Sequence, residues 1–431
     1  MLLFDIEPKT TLTSKRIKQD TSATFADNMS LPIHKWYRYT AGFSAAWVRE
    51  LIKKEKELGR QRIIDPFAGS GTVLIESEFE QVEAYGIEAH PYIHKVAEAK
   101  LLWSFSPDIL HENCLKFLER ARKKKPENRT YSKLITECYP QEVLSKLEAL
   151  RQTWLEHIDD EVTEKFTWFI ITSILRITSP VGTAQWQYVL PNKTKAKIID
   201  PYIAFEAKVM DIVQDMRLSQ EKVKQPTQAI VFKEDARSIQ SIPDAWGDLV
   251  ITSPPYANNY DYADATRLEM TFWGDIEGWS DLQENVRKNL VRACTQHVSG
   301  FGKYIDEVLA NPLLNPIKDE LFDIYNQLGT VRLDRGGKKN YHFMIAAYFN
   351  DLAQVFQSLR RVTKSGVKMC FVVGDSAPYG VYVPVDKWLG EIAVGVGFSN
   401  FEFEKLRDRN IKWKNRKHRV PLQEGRLWIN G

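Results

Sequence analysis

The segment Arg62-Ile63-Ile64-Asp65-Pro66-Phe67-Ala68-Gly69-Ser70-Gly71-Thr72 constrains this chain more than any other. A short apolar run that reads as a buried strand ends in a turn with two glycines, which leads into Val73, Leu74 and Glu76 at helical spacing. A second strand follows at 84–88 and a helix at 91–103, with Pro91 suited to its first turn. Strand character returns at 229–235 and 248–252. The helix 348–362, a turn at 364–366 and the strand 367–373 make one more unit. The alternation predicts an α/β fold, a Rossmann-like doubly wound and mostly parallel sheet.

Two stretches interrupt it. Residues 104–226 are charged, helix-forming sequence without convincing strands, and 262–340 are mainly helical. Because the alternation resumes after each, the expected organisation is one α/β domain (1–103 and 227–431) carrying a helical insertion at 104–226 and a second at 262–340. With 431 residues, 27% charged and 43% hydrophobic, the composition is that of an ordinary globular protein and excludes disorder. No stretch approaches the ~20 apolar residues of a membrane span, so the chain reads as cytosolic, untargeted and without a membrane partner. Its four cysteines are scattered without C-x-x-C pairs, which argues against a structural metal or a disulfide framework.

Gly69 and Gly71 allow the backbone to pass close to a ligand where a helix N-terminus, at Thr72, offers unpaired N–H groups. Residue 74 is Leu, which departs from the dinucleotide pattern G-x-G-x-x-G, and the Lys of a phosphate-binding loop is missing. The turn therefore suits a nucleoside-type ligand whose charged part is small. Glu88, at the end of the next strand, stands where a carboxylate accepts hydrogen bonds from ribose hydroxyls.

The strand 248–252 ends abruptly in Ser253-Pro254-Pro255-Tyr256. Two prolines cannot donate to a sheet ladder, so the chain leaves the sheet there, at the edge where open α/β sheets bind ligands. A serine hydroxyl and the carbonyls of a donor-free Pro-Pro segment are acceptors, and Tyr256 offers a flat ring. This suits a planar base with an exocyclic amine. Accepting the amine's N–H bonds favours the pyramidal nitrogen needed for attack, and stacking on the ring holds the base in line.

DPFAGSGT and TSPPY together resemble the cofactor and catalytic motifs of the amino methyltransferases, which methylate exocyclic nitrogens of DNA bases with S-adenosylmethionine. The Ser-Pro-Pro-Tyr form resembles the N4-cytosine branch. The segment from His34 to Val48, with Gly42-Phe43-Ser44, is similar to the one that lines the methionine end of the cofactor in this family. The resemblance implies a fold of the class I methyltransferase type. It places Phe43, Ser44, Asp65, Phe67, Gly69, Gly71, Thr72 and Glu88 around the methionine and ribose, and Asp235-Ala236 at the adenine. Ser253, Pro254, Pro255 and Tyr256 would surround the base. It further implies direct transfer without a metal or a covalent enzyme intermediate, extrusion of the target base from the duplex, and a restriction or other defence system with a cognate endonuclease. C5-cytosine methyltransferases need a cysteine nucleophile, usually after a proline, and no cysteine here follows one.

Two segments interleave basic and aromatic residues as DNA contacts require. One holds Trp186, Tyr188 and Lys193. The other, 405–419, contains eight Lys/Arg and one Asp, among them Arg409, Lys412, Lys414, Arg416, Lys417 and Arg419. The net charge of +3 thus averages a basic strip and an acidic remainder. Three other readings stay open. The substrate could be adenine N6 in DNA, or the exocyclic amine of guanine in tRNA or rRNA, or the chain could be a non-catalytic DNA-binding subunit.

Overall fold

β1 (Arg62–Asp65) is exposed at its first residue and buried over the next three, as a central parallel strand must be. The computed structural model describes residues 25–39, 42–127, 129–156, 160–183, 189–194, 198–258, 261–336, 339–409 and 420–431, without the side chains of 25–26, 182–183 and 189–194. The remaining strands are β2 (Glu83–Ile87), β3 (Val181–Thr183), β4 (Val189–Thr194), β5 (Ile230–Phe232), β6 (Gly247–Thr252), β7 (Thr363–Gly374), β8 (Asn400–Arg409) and β9 (Leu422–Asn430). Seven form one sheet in the order β5-β2-β1-β6-β7-β9-β8. The strands from β5 to β7 pair in parallel, while β9 runs antiparallel to both β7 and β8. This is the class I methyltransferase fold.

The two-residue period of the strands sorts the core into two layers. Ile63, Leu249, Ile251 and Cys370 pack with Val48, Leu51 and Ile52 of the helix Ala45–Glu57 and with Val73 and Leu74 of the helix Thr72–Phe79. Their strand neighbours Ile64, Val250, Met369 and Phe371 belong to the opposite layer, with the helices Tyr341–Val362 and Val385–Gly395. Gly86 settles the missing third glycine of the dinucleotide pattern. A Cβ on it would lie 2.8 Å from Leu74 Cδ1, so the close helix–strand approach is provided from the strand instead.

The stretch 104–226 contains the helices Pro107–Lys123, Lys133–Cys138, Gln141–Leu155, Glu161–Thr178 and Pro201–Lys222. The sequence predicts no strands there, yet β3 and β4 form an antiparallel pair of their own. Strands this short, bonded only to each other, carry no period to read. The helices of this stretch share a core with the helix Pro91–Leu101 through Tyr92, Val96, Phe166 and Phe169. The region 262–340 is short helices and 3-10 turns followed by the longer helix Lys318–Asp334. The turn expected at 364–366 lies inside β7 as an irregularity, with Gly366 at φ 77° and a register shift against β6. The C-terminal β8 and β9 were not predicted. All four cysteines are buried and free, and no helix among the described residues is long and apolar enough to cross a membrane.

Candidate active site

The glycine turn and the Ser-Pro-Pro turn open onto one cavity of about 860 Å³, counted with its open mouth. Its wall includes Phe43, Asp65, Phe67, Gly69, Thr72, Glu88, Asp235, Ala236, Ser253 and Pro255. A single hydrogen bond ties the two motifs: Thr252 Oγ1 donates to Asp65 Oδ1 at 2.6 Å, and the same oxygen accepts from Phe67 N at 3.0 Å.

Gly69 has φ 52°, and a Cβ there would stand 2.9 Å from Tyr39 Cε1. Its N–H donates to Glu88 Oε2 at 2.8 Å, and His90 N donates to Glu88 Oε1 at 2.8 Å. Gly71, at φ 84°, caps the helix Thr72–Phe79. Lys100, fully buried, holds the turn from behind by donating to the Ser70 carbonyl at 2.9 Å, and burial brings its pKa down to about 7. Burial also pushes the Asp65 and Glu88 carboxyls up to about 7.

Ser253 Oγ donates to the Val372 carbonyl at 3.3 Å and is also hydrogen-bonded to the Tyr256 side chain. Pro254 is buried. Tyr256 lies beyond the cavity wall, with the Arg409 guanidinium over its ring at 5.0 Å from the centroid, and burial raises its hydroxyl pKa far above the ordinary value.

Some expected residues sit differently. Ser44 is not in the cavity wall; its Oγ caps the helix Ala45–Glu57 by accepting from Trp47 N at 3.3 Å. Asp235 is in the wall, but its carboxylate is engaged by Arg237 through Nε at 2.9 Å and Nη2 at 2.5 Å. Arg409, expected on a phosphate track, turns inward to Tyr256. Trp186, Tyr188, Lys412, Lys414, Arg416, Lys417 and Arg419 lie outside the described residues. Lys193 is in β4 with its side chain likewise outside them.

Other wall residues carried no sequence signal: His90, Tyr262 and the run Asn289-Leu290-Val291, while Tyr39 falls within the 34–48 segment expected at the cofactor. The last comes from the second helical region and is fixed by a buried knot. Arg287 donates to Asp261 Oδ2 at 2.9 and 2.5 Å. His297 bridges Asp261 Oδ1 at 3.3 Å and the Val291 carbonyl at 3.2 Å. Burial opposes both charges, but the hydrogen bonds between the groups outweigh it, taking Asp261 to about 2 and His297 to about 9. Cys294 lies within 4.8 Å of both, a grouping with metal-ligand chemistry. Here Arg287 already neutralises Asp261 and each His297 nitrogen has a protein partner, so the cluster acts as a structural clamp on the 289–291 wall.

Fold and cavity together define a class I methyltransferase architecture. Over most of its length the chain is similar to Type II methyltransferases. It is 26% identical to M.BsoBI of Geobacillus stearothermophilus, covering 90% of this chain and 82% of that one. It is 27% identical to M.AvaI of Nostoc sp. (87% and 81%) and 20% identical to M.MvaI of Kocuria varians (83% and 80%). No family model matches the chain, and no solved structure matches it.

Proposed function

We propose that this chain is a site-specific DNA methyltransferase that moves a methyl group from S-adenosylmethionine to the exocyclic N4 of cytosine, as the modification arm of a restriction system. The observation that carries the reading is the meeting of the two motifs on one cavity, joined by the Thr252–Asp65 hydrogen bond. The similarity to Type II methyltransferases along most of the chain supports it.

The residues present fit the cofactor. Gly69 leaves a cradle against Tyr39 that a Cβ would close. Glu88 supplies a carboxylate for the ribose hydroxyls, and Asp65 and Phe67 face the methionine side. His90 lines the cavity, with Nε2 3.0 Å from Thr266 Oγ1. Burial holds this imidazole neutral, with a pKa near 4.

When bound, the cofactor supplies an electrophilic methyl group on a sulfonium. Ser253 Oγ and the Pro254 carbonyl accept the N–H bonds of the target amine and draw its lone pair out of conjugation. Tyr256 stacks the base and holds the nitrogen in line. The nitrogen gains the methyl as the methyl–sulfur bond breaks, its proton passes to solvent, and no side chain becomes covalently attached. Residues 262–340 are assigned to target recognition, with 104–226 and the basic residues of 412–419 gripping the phosphate backbone. A base inside a duplex must be extruded to reach this position.

The test is incubation with labelled S-adenosylmethionine and either DNA or tRNA, then nucleoside mass spectrometry. N4-methylcytosine in DNA is expected. N6-methyladenine would move the target base, and label confined to RNA guanine would overturn the reading.

A further inference from the structure

We propose that Arg409 is a positioning residue of the base-binding half of the site, holding the Tyr256 ring so that its other face receives the target base. The proposal rests on the methyl-transfer reading above and gives Arg409 a different task from a phosphate contact.

Three elements fix this arginine. From the end of β8 its guanidinium carbon lies 5.0 Å from the Tyr256 ring centroid. Nη1 donates to the Asp375 carbonyl, just after β7, at 2.7 Å. Nε lies 3.8 Å from Glu424 Oε2 on β9. The path exists because residue 374 is glycine: a Cβ there would stand 2.7 Å from Nη1 and 3.1 Å from Cδ. A phosphate contact needs a guanidinium turned to solvent, whereas this side chain is 26% exposed and spans the ends of two strands.

The chemistry favours arginine specifically. A flat guanidinium can lie over an aromatic ring while its edge donates sideways to a carbonyl, and a lysine ammonium cannot do both. With one face of the ring covered, Tyr256 has a fixed plane, and a base stacked on the other face has a fixed tilt toward the methyl donor. Small misplacements of reacting atoms cost as much as about a hundredfold in rate.

The experiment measures DNA methylation by the full chain and the variants R409A, R409K and G374A. It gives kcat, KM for DNA and the salt dependence of DNA binding, with cofactor affinity by calorimetry as a check on folding. Expected is a loss of about tenfold to a hundredfold in kcat for R409A, with cofactor affinity and salt slope unchanged. R409K should not rescue it. G374A should lose turnover similarly although the arginine is present. The proposal is overturned if R409A keeps its kcat, or if it loses DNA affinity with a shallower salt slope and R409K restores it, since that is the behaviour of a phosphate contact. It is also overturned if G374A, with cofactor binding intact, turns over normally. A wild-type chain that methylates no DNA overturns the underlying reading and the proposal with it.

Discussion

Asp65 and Glu88 are carboxylates buried at the cavity wall, and each already accepts two hydrogen bonds. Both have pKa values of about 7 in the folded chain, against roughly 4 in an unfolded one. The folded state therefore binds more protons than the unfolded state between those values. Their contribution is fully present below about pH 4 and is lost as pH rises through 7. Denaturant midpoints of the ligand-free protein should fall between pH 5 and pH 8 from these two groups. Ribose hydroxyls donate best to an ionised carboxylate, so cofactor affinity should move the other way, tightening from pH 6 to pH 8 with release of protons. Calorimetry in buffers of different ionisation enthalpy measures that release. Affinity flat across this range would show that neither carboxyl titrates on binding. The Asp261–Arg287–His297 knot makes the same point about charge in this site: where the structure needs ionised groups under burial, it pairs them.

Among the elements, the helix Thr72–Phe79 and β2 depend on each other at one point. Gly86→Ala would place a methyl 2.8 Å from Leu74 Cδ1 and 2.9 Å from Ala68 Cβ, and overpacking of this kind costs about 1–3 kcal/mol. Leu74→Ala in the same chain should recover part of it, and a double-mutant cycle of denaturant midpoints checks the coupling. That contact was half legible in the sequence: Leu74 was visible as a departure from a pattern, but its partner Gly86 was not. Central parallel strands announced themselves, because burial on both faces makes Ile63-Ile64 and Leu249-Val250-Ile251 continuous apolar runs that end where the chain turns. β8 and β9 escaped because their charged side chains mask a two-residue period. Phe401 and Phe403 alternate with Glu402 and Glu404, and that alternation was the available signal. The basic strip was legible as charge but not as geometry, since only the antiparallel pairing of β8 with β9 brings Arg409 to Tyr256. Likewise His90 and 289–291 reach the cavity only through tertiary packing, and no local motif marks them.

For the molecule as a whole, the helical stretch 104–226 is tied to the segment that precedes β1. Asp215, buried on the helix Pro201–Lys222, accepts from Trp36 Nε1 at 2.9 Å and Ile33 N at 3.3 Å, and pairs with Lys35 Nζ at 3.0 Å. Asp215→Ala leaves buried donors unpaired and should cost on the order of 2–4 kcal/mol. With a core shared between the two parts, calorimetric melting should show one transition, and two resolved transitions would contradict a common core. The same packing brings the glycine turn and the Ser-Pro-Pro turn to one cavity, and the proposed function gives the first to the cofactor and the second to the base. Titration of S-adenosylmethionine into E88A and Y256A, with turnover measured on the same preparations, tests that division most directly. E88A should weaken cofactor binding by at least about tenfold, the worth of a hydrogen bond to a charged group. Y256A should bind cofactor like wild type and lose about a hundredfold in turnover. Weakened binding in Y256A with normal binding in E88A would contradict the account.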